Sequence, residues 1–398
     1  MFEHLEPKPE DPILKLNIEA LNDPSPTVVN LSAGVYKSED GNTPVPFAIK
    51  QAELRRYENE KTKAYMGIAG DGRFNELLTE LAFGADHPAK KDGRIATIQT
   101  IGGSGALFIG ARLMVEANSD VEIWAGDPTW GNHVPLLTSA GAQLHSLPYY
   151  DRKNQVVDFD RMREIVARLS TGSVLLLHGC CHNPSGADLS PDQWDQLAEL
   201  ILERNLIPFV DAAYHGLGEG LEPDAYSWRM LAERVPEMLL AYSCSKNFGL
   251  YRERVGMLSI VSSNAMESSK VLSNLKSLVR ETYSMPAAHG AFLAAEVMED
   301  AELRASWVAQ LGHIRARIAG MRSEFVRGMM EVAPSRDFGF VERQLGMFSF
   351  LGITAEQAIR LKKEHSVYIL ESSRINVAGL TSGNIDYVTR ALASVIAD

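Results

Sequence analysis

The sequence predicts an α/β fold: a large domain built on a mostly parallel sheet, plus a smaller α+β domain. Three observations predict it. From Thr97 onward, short apolar runs alternate with segments of helical period, the pattern of successive strand and helix units. After about Asp300 that alternation gives way to one long helical pattern followed by three short strand-like runs. The chain of 398 residues is also long enough for two to three domains at roughly 150 residues each.

The elements follow in order. Pro7, Pro9, Pro12, Pro24 and Pro26 punctuate an N-terminal arm that holds one short helical pattern, Ile13 to Leu21. Strands are expected at Ala96 to Gln99, Val121 to Ala125, Val174 to His178, Ile207 to Asp211, Met238 to Ser243 and Met257 to Val261. Between them, helices are expected over Ala106 to Glu116, Phe159 to Leu169 and Gln193 to Arg204. In the last, Trp194, Leu197, Ala198, Ile201 and Leu202 form one apolar stripe, and Ser190-Pro191-Asp192 supplies a start signal. Ala301 to Val332 reads as one long helix weakened at Gly312 and Gly320, with strand-like runs at Met347 to Phe350, Val367 to Leu370 and Arg374 to Ala378. These place an N-terminal arm and part of the small domain in residues 1–45, the large domain in 46–305 and the rest of the small domain in 306–398.

Composition excludes several classes of function. With 39 Lys and Arg against 51 Asp and Glu, the formal net charge is −12, and no basic block is present. That argues against a nucleic-acid surface or an anionic-membrane surface. No run reaches the ~18 apolar residues that a membrane span requires. Met1 to Pro12 carries acids and prolines where a secretory leader would carry basic and apolar residues, so the expected compartment is cytoplasmic. Three cysteines, with Cys180 and Cys181 adjacent, make no disulfide framework and no zinc spacing, so buried thiols and no metal are expected.

The chemistry is expected at the carboxyl ends of the parallel strands, where open α/β sheets bind their ligands. The first strand runs into Gly102-Gly103-Ser104-Gly105 and a helix, whose free N–H groups suit an anion such as phosphate. Phe108 stands where a dinucleotide fingerprint has its third glycine, which demotes that alternative. Asp211 ends another strand, with Tyr214 three residues on. A carboxylate there wants a cation such as a pyridinium nitrogen, or else caps the next segment. Lys246 follows a third strand, in Ser243-Cys-Ser245-Lys246-Asn-Phe-Gly, where desolvation lowers an amine's pKa and leaves it nucleophilic. Arg254, eight residues later, adds a bidentate charge for a phosphate, helped by the hydroxyls of Ser243 and Ser245. Asn183 sits in His182-Asn-Pro-Ser-Gly, offering both donor and acceptor. Arg374 lies inside a strand-like run, where a buried guanidinium needs an anion such as a substrate carboxylate. Arg280 is either a second carboxylate clamp or a solvated helix-end charge paired with a nearby acid.

With Asn183-Pro-Ser-Gly, Asp211-x-x-Tyr214 and Ser-x-Ser-Lys246-Asn-Phe-Gly-x-x-x-x-Arg254 in that order, the sequence resembles class I pyridoxal-phosphate aminotransferases, in the aspartate and aromatic amino acid branch. The likeness runs from Asn30-Leu-Ser-Ala-Gly34-Val-Tyr to Arg374-Ile-Asn-Val-Ala-Gly. The resemblance implies the fold type I of pyridoxal-phosphate-dependent transferases, pyridoxal 5'-phosphate as cofactor and a homodimer with shared active sites. It implies that Lys246 holds the cofactor covalently and then shuttles a proton, and that Asp211 keeps the ring nitrogen protonated. By the same likeness, Tyr214 and Asn183 bond the phenolic oxygen and Trp130 stacks on the ring, with His133 and His178 behind Trp130 and Asp211. Gly103, Ser104, Ser243, Ser245 and Arg254 match a phosphate cup, which Tyr65 reaches from the neighbouring subunit. Gly34 and Arg374 match the α-carboxylate site, with Trp130 and Asn183 also facing substrate. Arg280 from the neighbour matches the side-chain carboxylate clamp.

The implied activity moves an amino group from aromatic or dicarboxylic L-amino acids to 2-oxoglutarate by a ping-pong route, with Arg374 coupling carboxylate binding to domain closure. A narrow aspartate aminotransferase and a non-catalytic cofactor-binding protein are the alternatives. Departures from the family pattern include Tyr214-His215-Gly-Leu217 in place of Tyr-Gln-Gly-Phe, and they bear on specificity without removing a reacting group.

Overall fold

The computed structural model describes residues 1–397. They divide into two compact units, residues 44–183 with 187–316, and residues 1–43 with 184–186 and the described residues from 317 onward.

The larger unit is organised by a seven-stranded sheet. Its strands are β1 (Ile95–Ile101), β2 (Glu122–Asp127), β3 (Gln143–Pro148), β4 (Val174–His178), β5 (Ile207–Ala212), β6 (Met238–Ser243) and β7 (Val255–Val261), in the spatial order β1-β7-β6-β5-β4-β2-β3. All neighbours are parallel except β7, which runs antiparallel to both β1 and β6. Strands β4, β6 and β7 are buried along their whole length, as strands covered on both faces must be. Leu258 and Ile260 of β7 share one core with the helices Gly102–Ala117 and Ala265–Thr282. On the first of these helices, Gly110 lets Phe209 of β5 approach so closely that a Cβ would meet its ring at 2.6 Å. Val255, of opposite parity on β7, packs instead at Gly290 of the helix Ala288–Glu299.

Several elements differ from the sequence expectation in ways that matter for the site. The first helix begins at Gly102, four residues earlier than the apolar pattern, because Gly102 adopts a φ of +73° and turns the chain directly out of β1. The last strand begins at Val255, two residues early, so Arg254 stands immediately at its start. Strand β3 was not expected. It is an edge strand of mixed polarity ending in Pro148, and its exposed side erases the apolar signal.

In the smaller unit, Val29–Asn30 pairs in parallel with Val367–Tyr368, and Phe348–Phe350 pairs antiparallel with Arg374–Asn376. The predicted run over Arg374 to Ala378 is therefore a three-residue strand that turns into a 3-10 helix at Val377–Gly379, where Asn376 Oδ1 accepts from the Ala378 N–H. Gly186 has a φ of +73° and lies so close to Phe348 that a Cβ would meet its carbonyl oxygen at 2.3 Å. Ala301–Val332 is one unbroken helix, as its period predicts.

Candidate active site

Sheet direction determines which residues meet. Strands β1, β2, β4, β5 and β6 all end at one edge, and β7, running the other way, begins there. That edge therefore collects Gly102, Asp127, His178, Asp211 and Ser243 from strand ends and Arg254 from a strand start. His178 and Asp211 are register partners across β4 and β5.

Asp211 does not cap a helix. Its carboxylate, only 5% exposed, accepts a 3.0 Å hydrogen bond from His133 Nε2. Thr129 Oγ1 bridges His133 Nδ1 at 2.7 Å and His178 Nε2 at 3.0 Å, donating to one ring and accepting from the other. Trp130 meets the His133 ring edge-on, with centroids 5.3 Å apart. Burial by itself pushes the Asp211 carboxyl up. The hydrogen bond from His133 and the nearby positive charge of Lys246 outweigh it and hold the group below the usual carboxylate range. Burial pushes His178 down to about 3, so that ring is neutral. The net result is a buried carboxylate kept negative, ready to face a cation.

Lys246 lies in the turn after β6, closed by the Gly249 N–H donating to the Lys246 carbonyl. Its Nζ stands 4.7 Å from the centre of the Tyr214 ring. Burial lowers its pKa to about 8, with Asp211 pulling the other way and Arg254 adding to the fall. An amine so placed gives up its proton far more readily than a free lysine, and the neutral form is what nucleophilic attack on a carbonyl requires. Asn183 is also buried, in the turn beyond β4.

The third feature is an anion cradle. A Cβ on Gly103 would meet Ser243 Cβ at 3.1 Å, and one on Gly102 would meet Arg254 Nη2 at 2.7 Å. Glycine at both positions thus lets the first turn of the helix, the Ser243 hydroxyl and the Arg254 guanidinium converge. Arg254 adopts a φ of +52°, and its Nη1 donates to Ser245 Oγ at 3.5 Å. Ser104 is in the same helical turn, half-exposed. The unpaired N–H groups of that turn and the helix dipole favour a dianion there.

In the smaller unit, the buried Arg374 donates to the Ser32 carbonyl at 2.7 Å, and its guanidinium lies 4.4 Å over the Phe348 ring. Asn376 holds the neighbouring loop by donating to the carbonyls of Ala33 and Val35, on either side of Gly34. Gly34 is pressed against Phe348, 3.3 Å from where a Cβ would stand. Arg374 and Gly34 are thus brought together as the sequence reading expects.

Two expected residues stay outside the cluster around Lys246. Tyr65 is 94% exposed and Arg280 is exposed on the last turn of the helix Ala265–Thr282. The sequence left open whether Arg280 pairs with an acid. Among the described residues its guanidinium bonds the Ser284 hydroxyl and forms no ion pair. Sequence reasoning missed Thr129, whose bridging role has no signal beyond a hydroxyl next to Trp130. It also missed a polar chain through His215, Tyr242 and Asn247 behind the lysine turn. The departure at His215 was visible, but its partner Tyr242 lies 27 residues away and nothing in the spacing joins them.

Comparison with known proteins fits this geometry. The family model "Aminotransferase class I and II" matches residues 26–392. An aspartate aminotransferase of Haemophilus influenzae is 42% identical over 396 residues, covering 100% of both chains. An aromatic-amino-acid aminotransferase of Escherichia coli is also 42% identical, over 397 residues and 100% of both chains. The crystal structure of an aromatic-amino-acid aminotransferase from Burkholderia pseudomallei, covalently bound to pyridoxal phosphate, superimposes with a TM-score of 0.96 at 41% identity, covering 99% of each chain. A buried carboxylate, a nucleophilic amine and an anion cradle on one sheet edge, in a chain matched from end to end, place this protein in the class I and II aminotransferase family, as a pyridoxal-phosphate-dependent aminotransferase.

Proposed function

We propose that this aminotransferase takes both aromatic and dicarboxylic L-amino acids as donors and 2-oxoglutarate as acceptor, working as a homodimer with shared sites. The observation that carries the dicarboxylic part is Arg280, a guanidinium exposed on a helix end that bonds a hydroxyl and forms no ion pair among the described residues. A cation left without a counter-ion is available to a substrate's second carboxylate. The aromatic part is supported by relatives of equal identity that are named for aspartate in one case and for aromatic amino acids in the other. The dimer is supported by Tyr65, since an aromatic side chain that exposed gains its role when a second chain lies against it.

The residues of the larger unit fit pyridoxal phosphate. The cradle at Gly102 and Gly103 leaves room that a Cβ would fill, and its donors suit a phosphate. Asp211, buried and negative, suits a protonated ring nitrogen, and Lys246 suits an aldehyde. When bound, that group supplies an aldehyde that takes up the amino group and a ring that withdraws electrons from the substrate Cα. In this reading Arg254, Ser243 and Ser245 fix the phosphate end, and the His133 bond fixes the orientation of Asp211. Lys246 Nζ would be the base that takes the proton from the substrate Cα. Tyr214, 4.7 Å from that amine, limits where it swings. Arg374 binds the α-carboxylate.

The test is a donor panel of aspartate, tyrosine, phenylalanine and tryptophan with 2-oxoglutarate, run on the wild type and on Arg280→Leu. The variant is expected to lose about 10²-fold or more in kcat/KM for aspartate and less than about tenfold for phenylalanine, the pattern of a lost charge-assisted contact. Equal losses on both donors would remove the clamp. A wild type turning over aspartate alone would leave a narrow aspartate aminotransferase.

A further inference from the structure

Behind the lysine turn lies a buried polar chain that the reaction as described does not use. His215, fully buried, places Nε2 2.6 Å from the Leu221 carbonyl oxygen and Nδ1 2.7 Å from the Tyr242 hydroxyl. Asn247 Nδ2 donates to that hydroxyl at 2.8 Å. Trp307 Nε1 donates to the Asn247 carbonyl at 2.7 Å and stacks on Phe248, with centroids 4.4 Å apart.

The proton positions follow from what each partner is able to do. A carbonyl only accepts, so His215 Nε2 carries the ring proton and Nδ1 is the acceptor. Burial pushes His215 down to about 4, so the ring is neutral and has no second proton to give. Tyr242 therefore donates to Nδ1, which leaves its oxygen free to accept from Asn247. Each of the three bonds from Leu221 to Asn247 runs in one direction only, and reversing one would strand a buried donor or acceptor in addition to Asn247 Oδ1, which already has no partner.

The chain joins two pieces of the site. His215 follows Tyr214, whose loop is pinned further on by Asp224 accepting from the N–H groups of Gly216, Gly218, Glu219 and Gly220. Asn247 follows Lys246. Two adjacent residues, Tyr214 and Lys246, therefore each have a neighbour in one common hydrogen-bonded chain, while their own contact is the 4.7 Å approach of amine to ring. The His215 ring is held edge-on against Trp228 and Tyr242, which leaves it a single orientation.

We propose that His215, acting through Tyr242 and Asn247, is a positioning residue that fixes the separation of Lys246 and Tyr214 and so places the lysine amine for proton transfer. This rests on the assignment of Lys246 above. It gives a purpose to the histidine at a position where the family pattern has glutamine. Glutamine also offers one acceptor and one donor, but tyrosine at 242 is needed to carry the bond on to Asn247.

The experiment compares holoenzymes of the wild type, Tyr242→Phe, His215→Leu and His215→Gln by two readouts. One is the pH midpoint of the visible absorbance band given by pyridoxal phosphate joined to the protein, and the other is the split between kcat and KM. The charged groups that act on the amine, Asp211 and Arg254, are substituted in none of the variants. Tyr242→Phe removes a single oxygen. It is expected to raise the midpoint by about half a pH unit or more, because a loosened turn admits water that favours the protonated form. It is also expected to lower kcat about tenfold with KM within about twofold, as a misplaced reacting group does. His215→Leu is expected to follow it, and His215→Gln to stay within about 0.2 units of the wild type, since it keeps both hydrogen bonds. If Tyr242→Phe keeps the wild-type midpoint and kcat, the proposal is overturned, and that holds whether or not His215→Leu folds. A wild type that gives no visible band overturns the Lys246 assignment, a different result from unchanged variants of a coloured enzyme.

Discussion

At the scale of single residues, the site is a set of groups whose environments push them apart in charge. Asp211 is held negative and His178 neutral within one hydrogen-bonded row, while Lys246 nearby is shifted to about 8. The lysine shift has a cost that is testable without cofactor. Its folded-state pKa lies below the 10.5 of a free lysine, so the folded form disfavours the charged amine. Below about pH 8 both states are protonated and the full penalty applies. Between about pH 8 and 10.5 the folded state gives up its proton first and stability rises with pH. Lys246→Met should therefore stabilise the cofactor-free protein against urea at pH 7, with the gain fading toward pH 10, and should abolish transamination in the holoenzyme. A gain that did not change with pH, or residual steady-state turnover, would contradict the assignment. Lys246, Asp211 and Arg254 were legible because each follows or precedes a buried strand with a polar side chain that has no reason to be there otherwise. Thr129 and the His215 chain were not, since a hydroxyl bridging two rings and a bond spanning 27 residues leave no local pattern.

At the scale of elements, legibility tracked burial. Strands β4 and β6 begin and end where the apolar runs do, because both faces are covered and the alternation of a half-exposed strand is absent. Strand β3 escaped for the opposite reason. The helix Pro191–Arg204 was announced by its first residues, and the structure shows why. Ser190 Oγ accepts from the Gln193 N–H at 3.2 Å, and Gln193 Oε1 accepts from the Ser190 N–H at 2.9 Å, a reciprocal capping box. Thr354 and Gln357 repeat it at the start of the helix Ala355–His365, which went unread because its surface is mostly polar. Ser190→Ala removes one acceptor and should cost about 1 kcal/mol, seen as a lower urea midpoint with activity retained. No change in the midpoint would mean that the box is redundant with Pro191.

At the scale of the whole molecule, the residues assigned to the cofactor all belong to the seven-stranded unit, whereas Gly34 and Arg374 belong to the other. The cofactor and the α-carboxylate are thereby assigned to different units. Arg374→Ala should retain the visible band of bound pyridoxal phosphate and lose about 10²-fold or more in kcat/KM on every donor, aromatic and dicarboxylic alike, since all share the α-carboxylate. Loss of the band together with activity would show that the arginine supports the cofactor after all.

The reversed strand β7 gives the socket a further property. Lys246, both serines and Arg254 lie on the two arms and the connecting bend of one β6–β7 hairpin, Met238 to Val261. Most of the anchoring chemistry is thus encoded in one contiguous cassette of chain, with Gly102 and Gly103 docking against it from β1. Because β6 fixes one end of that bend and β7 the other, amine and guanidinium keep their spacing only as long as the pairing of the two strands holds its register.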